Sequence, residues 1–165
     1  MTGRWILFEF LKEIGLIVGD LIENQGWNYM CSLNILIYPD LVRVFYKNLR
    51  LGEQHIESVV KGKRIIISEE SLGNMLEMPF EGIEHLVLKD RTKALQTVLE
   101  QENMNEIATL KASSLFMEMR LLHSFISRIF LPRTGRFNWV NERDLCFMEL
   151  VIHGDKINLL AIMLS

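Results

Sequence analysis

Cysteine is scarce in this chain. Cys31 and Cys146 are its two cysteines, and no C-x-x-C joins them. That removes the paired-cysteine zinc sites and disulfide frameworks, and it fits a reducing compartment. Metal-ligand spacing is equally missing from His55, His85, His123 and His153, which stand in separate segments. His123 flanks an apolar stripe and reads as a core or boundary histidine. Long uncharged apolar runs are absent too. The stretch 5–22 is interrupted by Glu9, Lys12, Glu13 and Asp20, whereas a bilayer helix needs ~20 mostly uncharged residues. The same charges break a signal-peptide core, and no small-residue cleavage site follows. The expectation is an intracellular protein without a membrane segment.

Catalytic signatures are missing in the same way. There is no G-x-S-x-G, and both cysteines sit in apolar contexts typical of buried structural thiols. Lys61-Gly62-Lys63-Arg64 is a hairpin tip rather than a strand-to-helix glycine loop, so it is no phosphate cradle. Asp40, Asp90, Glu142, Asp144 and Glu149 are the carboxylates one would nominate for a two-metal nuclease. Asp40, Glu142 and Asp144 are already explained by the positive ends of helices. No catalytic residue, metal ligand or cofactor is assigned from the sequence. A net charge of -3 gives no overall pull towards nucleic acid, so any basic site must be local.

What is present is apolar patterning. With 49% hydrophobic residues in 165, the chain can bury a real core as one domain, residues 1–165. The best-specified stretch is 38–79, and the chain reads as organised around it. In YPDLVRVFYKNL, the residues Leu41, Val42, Phe45, Tyr46 and Leu49 recur at helical spacing behind Pro39 and Asp40, with Gly52 as the stop. HIESVV and RIIIS flank a short glycine-containing loop, which predicts a β-hairpin over 55–67. Ser68 is an N-cap for a short helix with Glu69 and Glu70 in its first turn, ending near Pro79.

Elsewhere the spacing predicts a helix over 4–23 and a turn at Asn24-Gln25-Gly26. The segment 27–37 fits either a strand or a lead-in to the next helix. Residues 80–87 read as a loop and 90–106 as a polar helix holding Leu95, Val98 and Leu99. The strongest helix runs over 107–131, striped by Leu115, Met119, Leu122, Ile126 and Ile129 and stopped by Pro132. Asn141 caps a helix over 142–153 that ends at Gly154. A last apolar run over 157–164 reaches Ser165 without a cap, as in a truncated module of a longer protein. The whole is an α+β, mainly α fold: a helical domain with one hairpin. The expected core is Trp27, Val42, Phe45, Leu49, Leu72, Leu76, Met119, Leu122, Ile126, Leu145 and Ile152.

One constellation stands out against this background. Arg43, Lys47 and Arg50 repeat along a helix face, and Lys61, Lys63 and Arg64 gather at the hairpin tip. Together they are the candidate nucleic-acid contacts, suited to weak electrostatic tracking of phosphates. A solvated helix face and a charged, solubilising turn are the plainer reading.

Several motifs, in order, resemble one family. L-V-R-x-F-Y-x-N-L is carried by Leu41, Val42, Arg43, Phe45, Tyr46, Asn48 and Leu49. V-x-G-K-x-I is carried by Val60, Gly62, Lys63 and Ile65, and a serine-started helix closes on Leu76, Met78 and Pro79. A long helix closes on Leu131 and Pro132, before an element marked by Arg143, Leu145, Gly154, Ile157 and Asn158. This pattern, from about Arg4 to the end, resembles the putative plant transposon protein domain found beside retroelement sequences. Met78 stands where that family usually has leucine, and Gly135-Arg136 follow Pro132 where other residues are usual. The resemblance implies a mobile-element-derived domain with no catalytic residues to carry over. It implies an interaction module with a protein partner first, and a nucleic-acid-binding or nucleic-acid-processing protein second.

Overall fold

The computed structural model describes residues 8–53, 55–101 and 109–164. The start of the predicted first helix (4–7), the end of the polar helix (102–106) and positions 107–108 lie outside the described residues. Within them the order is α1 (Phe8–Glu13), α2 (Ile17–Gln25), α3 (Asn28–Ser32), α4 (Pro39–Lys47), β1 (Arg50–Leu51), β2 (His55–Val60), β3 (Lys63–Ser68) and α5 (Glu69–Leu76). Then come α6 (Arg91–Leu99), β4 (Leu110–Lys111), a 3-10 turn (Ala112–Ser114), α7 (Met117–Phe125) and a π-turn (Ile126–Phe130). β5 (Trp139–Val140), α8 (Glu142–His153) and α9 (Leu159–Leu164) complete the chain. The α+β expectation holds, and so does the hairpin. To it the structure adds β1 as a third antiparallel strand and a separate β4–β5 pair.

The core is built by helices from both ends of the chain. Trp27, Phe130 and Phe147 pack ring against ring, with centroids 5.0, 5.6 and 5.9 Å apart. Around them lie Val18 and Ile22 of α2, Leu95 and Val98 of α6, Leu122 of α7, Met148 of α8 and Leu159 and Leu160 of α9, all buried. Trp27, Met119, Leu122, Ile126 and Leu145 are buried as expected, and Leu72, Leu76 and Ile152 pack on the core while half-buried. α6, read as a polar helix with little constraint, instead lays Ala94, Leu95, Val98 and Leu99 against α8.

Three expectations about the larger architecture fail, each for a physical reason. The stretch 38–79 is not the centre. α4 has no buried residue; Val42 is 43% exposed, and Phe45 and Leu49 are only half-buried and lie outside the core. An amphipathic helix can hide its apolar face only as far as its partner layer extends, and three strands, one of them two residues long, are too narrow a layer. Second, the helix expected over 107–131 starts only at Met117, because Leu110 and Lys111 pair with Val140 and Trp139. Leu115 is still buried, from extended backbone after the 3-10 turn. The helix then widens into the π-turn, where the Leu131 N–H donates to the Ile126 carbonyl at 2.8 Å. Third, the N-terminal helix breaks at Gly15, whose φ of 72° is left-handed; Lys12 of α1 and Glu23 of α2 are ion-paired across the break.

The local signals were otherwise good guides. Ser68 accepts from the Ser71 N–H and Ser71 Oγ accepts from the Ser68 N–H, a reciprocal cap for α5. Asn141 and Asp144 do the same for α8, which ends on Gly154 in the left-handed region. Gly52, in contrast, stops no helix: α4 ends at Lys47, and Arg50 and Leu51 already pair with Glu57 and Ile56.

Candidate functional site

The hairpin turn is Lys61-Gly62, with φ of 50° and 77°. Two successive left-handed residues match the twist of the strands they join, and glycine takes the second at no steric cost. The turn sets the register: Val60 faces Lys63, Val59 faces Arg64, Ser58 faces Ile65 and Glu57 faces Ile66, while Arg50 of β1 faces Glu57. Directly opposed residues share a face. Arg50, Glu57, Val59, Arg64 and Ile66 therefore occupy one face of the sheet, and Ile56, Ser58, Val60, Ile65 and Ile67 the other. α4 covers the second face. There the buried Ser58 hydroxyl donates to the Phe45 carbonyl at 2.7 Å, and Asn48 Nδ2 donates to the Val59 carbonyl at 2.7 Å.

The outer face is half charged and half apolar. Arg64 grips the Glu57 carboxylate, through Nε at 2.9 Å and through Nη2, and this holds the Glu57 carboxyl below its ordinary range. Val59 and Ile66 are 46% and 50% exposed beside this pair. On α4, Val42 and Tyr46 are also exposed, one turn apart.

The six candidate basic residues are only partly gathered. Lys47, Arg50 and Arg64 line one cleft of about 760 Å³, together with Glu57 and Asn48. Arg43 sits one turn back along α4 and pairs with Asp40 at 3.0 Å, both well exposed. Lys61 is in the turn and Lys63 beyond it, both exposed at the tip. Glu57 is what sequence reasoning overlooked here. Its signal was the alternation of HIESVV, which puts it on the face of Arg50 and Arg64.

A second cluster was also missed. Asp144 is 3% exposed. Its Oδ2 accepts from Arg133 Nη1 at 2.6 Å and from the Asn141 N–H at 3.1 Å, and lies 3.1 Å from His123 Nε2. Arg133 Nη2 also donates to the Trp139 carbonyl at 2.7 Å. Arg133 thus ties the loop after Pro132 to β5, α7 and α8 at once. Its charge is matched by Asp144, as burial demands. His123 is the core histidine its position suggested, at 2% exposure. The arrangement is a buried clamp: the guanidinium is turned inward to its partners.

The remaining reactive groups are muted. Burial pushes the Cys31 thiol up to about 12, and burial with the nearby Glu149 carboxylate raises Cys146. Both stay protonated near neutrality, the unreactive form, and both are free thiols. Among the described residues, no three His, Cys, Asp or Glu side chains converge as metal ligands would. Of the nominated carboxylates, Asp40 is ion-paired on the surface, Asp90 accepts from the Lys93 N–H as the cap of α6, and Asp144 is the clamp. Among the described residues no helix is long and apolar enough to cross a membrane.

No curated protein and no solved structure matches the chain. A family model does, that of the putative plant retrotransposon-related domain, over residues 23–165. The match takes in every motif that carried the resemblance, from the Leu41–Leu49 pattern to Ile157 and Asn158, and this chain belongs to the putative plant retrotransposon-related domain family.

Proposed function

We propose that this domain acts by binding rather than by catalysis, with the α4–sheet lobe as its contact surface for a protein partner. The observation that carries this reading is the outer face of the sheet, where Val59 and Ile66 stand about half exposed beside the Glu57–Arg64 pair. The helical body also exposes large apolar side chains, Phe10, Phe116 and Met117 among them. Exposed apolar side chains gathered on one surface mark interaction sites, whereas scattered ones need no explanation. A photo-crosslinking residue at Val59 tests it, with the same residue at the exposed Lys93 of α6 as control. Adducts are expected from Val59 and should be lost on Ile66→Asp, its neighbour on the same face. Crosslinking at the lobe no greater than at Lys93 overturns the reading.

A second reading has one observation in its favour: Lys47, Arg50 and Arg64 share a cleft. Three cations against the single Glu57 carboxylate suit weak contact with a phosphate backbone. Such contacts release counterions, so affinity should fall steeply with salt and depend little on sequence. Titration of labelled DNA and RNA at low and moderate salt decides it. Lys47→Ala with Arg50→Ala should reduce both affinity and salt slope, and tight, salt-insensitive binding would refute this electrostatic account.

A further inference from the structure

We propose that the open edge of β3 is a self-association site: a second copy of this chain adds its own β3 antiparallel, giving one continuous sheet of two three-stranded halves across a two-fold axis. The proposal rests on the lobe being a contact surface and names its occupant.

The strand order β1-β2-β3 leaves β3 at the edge. In a hairpin with a two-residue turn, the residues flanking the turn exchange hydrogen bonds, and the pattern repeats every second residue. Lys63, Ile65 and Ile67 therefore bond to β2, while Arg64 and Ile66 turn their N–H and C=O groups outward. Among the described residues, neither of those outward backbones finds a partner. Proteins usually guard such an edge with a proline, a bulge, charged side chains or a very short strand. β3 has no proline and no bulge, and its two charges, Lys63 and Arg64, stand at its start and leave 65–67 unguarded. It is six residues long in unbroken register, its sequence is KRIIIS, and the half-exposed Ile66 stands near its middle.

Charge selects a second copy over other occupants. Lys63 and Arg64 stand at the start of β3, and the exposed Glu70 lies just past its end, in the first turn of α5. Antiparallel pairing about Ile66 sets Ile66 against Ile66 of the second copy on the axis. It also carries the basic end of each strand to the acidic end of the other. The interface is self-complementary, as a two-fold requires; parallel pairing would bring like ends together.

Sedimentation velocity of the full chain over a range of concentrations tests this. The wild type should show a reversible monomer–dimer equilibrium. Ile66→Pro removes an N–H that points away from β2 and should shift the chain to monomer. Glu70→Arg should weaken the dimer about tenfold or more, since the two-fold repeats the lost pair and each tenfold step is small in free energy. Lys63→Glu with Glu70→Arg should restore it, an outcome that a fold defect from Ile66→Pro cannot imitate. A monomeric wild type at every concentration overturns the proposal, as does a dimer indifferent to Ile66→Pro and Glu70→Arg. If the wild type is monomeric while Val59 still yields Ile66-dependent crosslinks, self-association fails and the contact-surface reading stands. If neither dimer nor crosslinks form, both fail.

Discussion

Replacing Arg133 by alanine isolates the clamp that joins the loop after Pro132 to the helical body. The substitution removes the 2.6 Å contact to Asp144 and the 2.7 Å contact to the Trp139 carbonyl. Asp144 keeps the Asn141 N–H and His123, but its charge stays buried without a cationic guanidinium. Breaking a buried ion pair by deleting one partner costs about 3–5 kcal/mol, because the other charge is stranded in low dielectric. Arg133 has one-fifth of its side chain exposed, 21%, so water can partly replace it and the lower end of that range applies. For a domain of this size, each kcal/mol moves Tm by about 2–4 °C, so Arg133→Ala should lower Tm by roughly 6–12 °C. Urea denaturation of Arg133→Ala, Asp144→Asn and the double variant completes the cycle. With the charge on Asp144 gone there is less to strand, so the double should be less destabilised than the two singles summed. A Tm for Arg133→Ala equal to wild type, or strict additivity in the cycle, would refute the clamp.

Two aromatic truncations separate body from lobe. Phe147→Ala should cost about 3–5 kcal/mol from the fully buried core, whereas Phe45→Ala should cost about 1–2 kcal/mol from its half-buried place; equal losses in urea melts would show that the lobe is part of the main core. Gly82 has a φ of 121°, and a Cβ there would lie 2.4 Å from the Lys156 carbonyl oxygen, so Gly82→Ala should be destabilised well beyond a surface substitution, by about 2 kcal/mol or more. A native-like melt would mean that this approach, beside the Ile83–Ile157 bridge, is looser than described. Alkylation by iodoacetamide should be slow at both thiols until the chain unfolds. The Cys31 thiol is raised to about 12 in the fold, so its contribution to stability is complete below the ordinary thiol pKa of about 8.5 and is lost as pH rises towards 12. Fast labelling of the native chain at pH 8 would place that thiol at the surface.

Features that depend on a few neighbouring residues were legible along the chain. Ser68 and Asn141 cap the helices they precede, Gly154 ends α8, and Lys61-Gly62 makes the hairpin turn, because each acts through backbone hydrogen bonds or dihedrals within a turn or two of itself. Trp27, Leu122 and Ile126 announced burial through size and spacing, and the ordered motifs of 41–158 were enough to place the family. Which apolar face wins a partner was settled by the folded chain as a whole. Periodicity says that Val42, Phe45 and Leu49 want to be covered, but coverage depends on how wide a layer the rest of the chain can offer, and a narrow sheet cannot cover α4. The folded chain also decided the break at Met117, where pairing with Trp139 and Val140, more than twenty residues away, outcompetes helix propensity at Leu110 and Lys111. The Arg133–Asp144–His123 clamp was illegible for the same reason. Its members look like a loop cation, a helix-start acid and a stripe histidine until three elements fold together, and a buried charge selects its partner by proximity in space, which the spacing along the chain does not encode.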